Sequence, residues 1–302
     1  MRVTVTGATG LIGRRLVGEL TGRGDEVTVL TRSPGKAREA LPGTTPAAWD
    51  PEAGPAPAEA LDGRDAVVHL AGENVAQRWS AGAKRRIHQS RERGTRNLVA
   101  GLEAAANRPG VLVSSSAVGY YGPRGPERVT EDTPPGDDFL ARVCVAWERE
   151  AQAAGRLGVR TVQVRTGVML DKGGGALGKM LPFFRAGVGG PVAGGKQYLP
   201  WIHADDVAGI YLRALDDERW SGPVNATAPE PVTNAAFSRA LGRALKRPAV
   251  LPVPALAIRT LYGEMAIIVT GGQNAVPERP LALGFTFAHP RLDEALESAL
   301  AA

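Results

Sequence analysis

The chain has 302 residues, a formal net charge of +5 at pH 7 and 43% hydrophobic residues, enough for one large α/β domain or two closely joined ones. One cysteine, Cys144, excludes an intramolecular disulfide framework, and His69, His88, His203 and His289 are scattered too widely to suggest a metal cluster. No stretch is long and apolar enough to span a membrane, and the densest basic group, Lys84 to Arg96, lacks the aromatic interleaving expected for nucleic acid.

Val3 and Val5 open a β-branched run that predicts a strand, and Gly7 ends it. Leu11, Ile12, Leu16 and Leu20 follow at helical spacing to a stop at Gly22 and Gly24. Strand, glycine turn and helix N-terminus together make a pyrophosphate site. Gly7, Gly10 and Gly13, spaced G-x-x-G-x-x-G, let the backbone approach the phosphates, with Thr9, Leu11 and Ile12 between them. The second strand, Glu26 to Leu30, ends at Thr31 and Arg32. A free ribose 2′-hydroxyl would call for an acidic residue about twenty residues beyond the glycines. Arg32 instead suits a 2′-phosphate, so NADP is favoured over NAD. Because the chain enters directly on this strand, with no charged region before a signal-type apolar segment, the expected compartment is cytoplasmic.

A short strand is expected near Ala47 and Trp49, and a buried one from Asp65 to Leu70 delivers Ala71 and Gly72, small residues over which a ligand can lie. Residues 80 to 106 predict a helix whose solvated face carries the basic group. Val111 to Val113 is the next strand and delivers Ser114, Ser115 and Ser116. A helix over 139–156 and a strand from Thr161 to Arg165 complete the alternation, which predicts a Rossmann-type, doubly wound parallel sheet.

The second half differs in character. Residues 171 to 200 are glycine-rich and are expected to form a flap over a pocket. Gly190 to Gln197 nearly spells a P-loop, but Gln197 lacks the magnesium-binding hydroxyl and Pro200 obstructs the required helix. A helix beginning near His203, with Asp205 or Asp206 as its cap, leads to a short strand at Val224 to Ala226. A helix from Thr233 to Leu245 and a last helical module follow. The domain expectation is a dinucleotide-binding unit over residues 1–170, rejoined by segments near 203–228, and a smaller substrate-side unit over 171–302.

Several motifs, in order along nearly the whole chain, resemble the extended short-chain dehydrogenase/reductases, the group of nucleotide-sugar epimerases and dehydratases. They are Thr6 to Gly13, Leu70 to Gly72, Gly94-Thr95 with Asn97, Ser114 to Gly122, and Trp201 to His203 with Asp205 and Asp206. Phe139-Leu140, Trp147-Glu148, Gly173 to Pro182 and Gly263 to Met265 resemble its branch with a small C-terminal domain. The resemblance implies hydride transfer to or from a nicotinamide, proton transfer by a tyrosine whose pKa a lysine four residues later lowers, and a serine that orients the substrate oxygen. Ser116 stands at the serine position. Leu140 and Cys144 stand where the tyrosine and lysine belong, and Arg91 stands where the family usually has an asparagine. Tyr120 or Tyr121, just beyond Ser116, is the available proton donor, while Cys144 on an apolar-patterned helix suits a buried, inert thiol.

The expectation is thus an NADP-dependent oxidoreductase or epimerase-like enzyme with an atypical active site, acting on a small molecule. No metal, nucleic acid or membrane partner is expected, and a homodimer is left open. Gly7, Gly10, Gly13 and Arg32 hold the cofactor, Leu70, Ala71, Gly72 and Ser114 lie along it, and Ser116 with Tyr120 or Tyr121 stands nearest the chemistry. The alternative is a non-catalytic NADP-binding sensor or regulatory protein, which the missing Tyr/Lys pair favours.

Overall fold

The computed structural model describes residues 1–301. Its centre is a sheet of seven parallel strands: β1 (Arg2–Thr6), β2 (Glu26–Thr31), β3 (Thr45–Ala48), β4 (Ala66–His69), β5 (Val111–Ala117), β6 (Arg160–Thr166) and β7 (Gly222–Ala226). Their spatial order is β7-β6-β5-β4-β1-β2-β3. The chain therefore builds outward from β1 to β3, crosses back, and builds the other way from β4. The break falls between β1 and β4, where Val3 pairs with Ala66 and Thr6 with His69. Open α/β sheets bind ligands in the crevice at such a reversal, beyond the carboxyl ends of the strands.

Alternate residues of each strand face opposite sides of the sheet, and both sides are covered. Val3, Val5, Val68 and Val113 join one core with Leu16 and Leu20 of α1 (Leu11–Gly22). Val67 and Leu112 join the opposite core with Leu98 and Leu102 of the long helix Ala81–Ala104. In chain order α2 is Pro34–Ala40, α3 is Ala81–Ala104, α4 is Phe139–Gln152, α5 is Gly175–Arg185 and α6 is Ala204–Asp216. Helix α3 packs alongside α4 on one face, while α1 and α6 pack together on the other. Ile210 and Tyr211 carry α6 into the α1 core.

A third core gathers Leu177, Leu181 and Phe184 of α5 with Trp201, Phe237, Leu241 and Leu296. The glycine-rich stretch over 171–200 is therefore not an open flap. Its middle is a helix of 11 residues with three buried apolar side chains, although Gly174 leaves its start uncapped and Pro182 lies inside it. Burial of that apolar row outweighs the weak local propensity.

Candidate cofactor cleft and active site

The turn after β1 is fixed by close backbone approach. Gly7 has φ of +66°, and a Cβ there would lie 2.6 Å from the Leu70 carbonyl carbon. At Gly13 a Cβ would meet the Gly7 carbonyl oxygen at 2.5 Å, so α1 sits directly on the turn. Gly10 is the N-cap of α1 and offers no side-chain cap, which leaves the first-turn N–H groups and the positive helix end free for an anion.

The facing wall is held by a buried relay. Thr6 Oγ1 lies 2.7 Å from His69 Nδ1, and His69 Nε2 lies 3.0 Å from Thr95 Oγ1. Thr6 Oγ1 also accepts from the backbone N–H groups of Leu70 and Ala71, both at 3.2 Å. Its hydroxyl proton then goes to Nδ1, which leaves the imidazole proton on Nε2 for Thr95. Burial pushes the His69 pKa down to about 3, so the ring is neutral and the Leu70–Gly72 strand end is pinned to β1.

A cleft of about 310 Å³ opens across this reversal point. Its walls include Gly7 to Gly10, the end of β2 from Val29 to Arg32, and Leu70 to Gly72. Trp49 to Glu52 also line it, unmarked by any short-range sequence signal because tertiary pairing of β2 with β3 brings that loop over the cleft, and Glu73 after β4 and Ser90 on α3 complete the wall. Arg32 is exposed at the rim. Leu11 and Ile12 are half-buried on the first turn of α1.

Beyond the cleft, β5 delivers Ser114, Ser115 and Ser116, all buried. Ser114 Oγ donates to the Ser115 carbonyl, which keeps it within the strand end. Ser116 Oγ donates to Glu148 Oε1 at 2.6 Å. Glu148 in turn is clamped by Arg165, whose Nε and Nη2 reach its two carboxylate oxygens at 2.8 Å each. Both partners are buried, and this paired, bidentate geometry is what offsets their desolvation. Arg165 Nη1 donates to Tyr121 Oη and to the Glu131 carbonyl, both at 2.9 Å.

The two tyrosines differ. Tyr121 is fully buried, and its hydroxyl donates to Asn225 Oδ1 at 2.6 Å while accepting from Arg165. Burial, partly offset by Arg165, raises its pKa to about 12. Its proton is committed to the fold, as a residue bridging β5, β6 and β7. Tyr120 is half-buried, with its ring centroid 3.5 Å from the Arg165 guanidinium carbon. Cys144, on α4, lies against Gly119, and burial together with the Glu148 charge pushes its thiol up to about 12, too high for thiolate chemistry.

Folding also joins histidines that lie far apart in sequence. The His203 and His289 rings are 3.8 Å apart, and His289 Nε2 lies 3.0 Å from Asp205 Oδ2. His203 caps α6 by accepting the Asp205 N–H on Nδ1, so its ring proton sits on Nε2, and Arg15 pairs with Asp205. The positive end of α6 and the Arg15 guanidinium oppose a cation at this cluster.

Fold and cleft together define a Rossmann-type nucleotide-binding protein of the extended kind, with a C-terminal helical addition. The chain belongs to the NAD dependent epimerase/dehydratase family, whose model matches residues 3–226, and a domain of unknown function, DUF1731, matches residues 253–299. It is similar to the chloroplastic SDR39U1 homologue of Arabidopsis thaliana, an epimerase family protein, at 41% identity over 99% of this chain and 86% of that one. It also resembles the epimerase family protein YfhF of Bacillus subtilis, at 36% identity over 100% of this chain and 98% of the other. The crystal structure of human SDR39U1 with NADPH superposes with a TM-score of 0.89 at 39% identity, covering 100% of this chain and 99% of that one. No helix among the described residues is long and apolar enough to cross a membrane.

Proposed function

We propose that this protein binds NADP(H) along the β1–β4 reversal and acts as an oxidoreductase or epimerase-like enzyme on a small molecule. The observation that carries the cofactor reading is the pairing of an uncapped α1 N-terminus with Arg32, an exposed guanidinium at the end of β2 in the same cleft. One end suits the diphosphate and the other the 2′-phosphate. The relative solved with NADPH supports the same reading.

When bound, the nicotinamide supplies or accepts hydride; the chain supplies orientation and proton control. Ser116, its proton held by Glu148 of the Glu148–Arg165 pair, turns its Oγ lone pairs to accept from and orient a substrate hydroxyl. Tyr120 is the nearby hydroxyl that makes no hydrogen bond to the buried network among the described residues. Residues 1–170 with β7 form the cofactor unit, and the α5 region with the C-terminal helices forms the substrate side. The decisive measurement is a screen of carbonyl and nucleotide-sugar compounds with NADPH, followed at the nicotinamide absorbance. The expected outcome is turnover of one class in the native protein and none in Ser116→Ala, with NADPH affinity unchanged. Tight NADPH binding with no turnover across the screen would favour the second reading, an NADP-binding sensor. That reading draws on Leu140 and Cys144 at the catalytic-pair positions and on the committed Tyr121 hydroxyl.

A further inference from the structure

Two departures from the family pattern, Arg91 and Cys144, lie on helices that pack against one another. Arg91 projects from α3 and Cys144 from the adjoining α4. The family resemblance puts a lysine at position 144 and a neutral asparagine at 91; this chain has a neutral residue at 144 and a cation at 91. Positive charge has moved from one helix to its neighbour.

The surroundings of Arg91 show where that charge points. Its guanidinium carbon lies 4.9 Å from the Trp147 ring centroid, which supports one side of it. Both of its hydrogen bonds among the described residues leave from Nη1, to the Glu73 carbonyl at 3.0 Å and the Ile87 carbonyl at 3.2 Å. Among those residues Nε and Nη2 are left without protein acceptors. A Cβ on Gly72 would come within 3.2 Å of Nη2, so this end of the guanidinium lies against the exposed glycine at the cleft wall. Among the described residues Arg91 makes no ion pair: Glu73 gives it only a backbone carbonyl, its carboxylate being taken by Gln77 at 3.0 Å and Arg86 at 3.5 Å. Burial disfavours the Arg91 cation, the nearby Glu73 charge offsets this only in part, and an anionic ligand would relieve the rest of that cost.

We propose that Arg91 grips the nicotinamide half of the bound dinucleotide, through its phosphate and ribose oxygens, and so supplies from α3 the positive charge that position 144 does not. The inference rests on the NADP reading above. It is tested by titrating native protein, Arg91→Met and Arg91→Lys with two probes: NADPH, followed by its fluorescence, and adenosine 2′,5′-bisphosphate, which has only the adenosine end. Arg91→Met should weaken NADPH by about tenfold or more, the loss of a charge-assisted hydrogen bond. It should leave the bisphosphate within about twofold, and Arg91→Lys should fall between native and Met for NADPH. Equal NADPH affinity in native and Met proteins overturns the role while the cofactor reading stands. Equal loss of both probes also overturns it, placing Arg91 at the adenosine end or in the fold. Failure of the native protein to bind either probe overturns this inference and the cofactor reading together.

Discussion

At the scale of single residues, the cleft separates charges with partners from charges without them. Arg165 is enclosed by Glu148, Tyr121 and a backbone carbonyl, and so serves structure. Arg32 is exposed at the cleft rim, where the proposed cofactor reading gives it the 2′-phosphate as counter-ion. Reversing that charge with Arg32→Asp should weaken NADPH by about tenfold or more and leave NADH nearly unchanged or improved, as calorimetry would show. Unchanged NADPH affinity would remove Arg32 from the phosphate site. The sequence showed the position of Arg32 because it follows directly on a strand. It could not separate Tyr120 from Tyr121, because what divides them is Asn225 on a distant strand.

At the scale of elements, the β1 turn and α1 were legible because the signals that mark them, the glycine spacing and the helical spacing of Leu11, Ile12, Leu16 and Leu20, are local. Gly13→Ala would drive a methyl group into Gly7 and Ala8 backbone atoms at 2.5 to 2.6 Å. Overpacking against backbone that cannot yield should cost about 1–3 kcal/mol and disrupt NADPH binding. Gly18, on the same helix, has nothing within 4 Å of the place a Cβ would occupy, so Gly18→Ala should instead stabilise by up to about 1 kcal/mol. Urea unfolding of the two variants checks both signs; a destabilised Gly18→Ala would show that helix propensity does not govern this position. Helix α5 was illegible because Gly173 to Gly175 and Pro182 mask it locally. Only its packing partners, Phe237, Leu241 and Leu296, make that stretch helical, and they come from much later in the chain.

At the scale of the whole molecule, two neutral histidines tie stability to pH. Burial lowers His69 to about 3; burial first, then His289 and Arg15, lowers His203 to about 4, both from an ordinary 6.5. The unfolded chain takes up these protons first, so their contribution is complete above pH 6.5 and falls as the pH drops toward the folded-state values. At pH 5 the loss should be about 2 kcal/mol per histidine, following 1.4 kcal/mol per unit. Urea midpoints at pH 7 and pH 5 measure it, and His69→Gln should remove about half of the difference. An unaltered difference in that variant would mean that the His69 proton is not excluded. The His203–His289 pair itself was invisible in sequence, since only the docking of the Ala288–His289 backbone on the Asp206 carboxylate brings the two rings together.

One contact joins the two halves of the chain at their most sensitive point. Gly174, just before α5, lies so close to Leu11 that a Cβ there would meet the leucine side chain at 3.0 Å, and Leu11 is the first residue of α1. The loop that leads into α5 therefore rests on the first turn of α1, the turn proposed to receive the diphosphate. The two halves are not interchangeable parts: a chimera taking residues 171–200 from another member of the family inherits a new neighbour for Leu11, and with it a displaced phosphate-binding turn. Grafts intended to change substrate choice should therefore carry the Leu11 contact with them, and cofactor affinity is the first property to assay in any that do not.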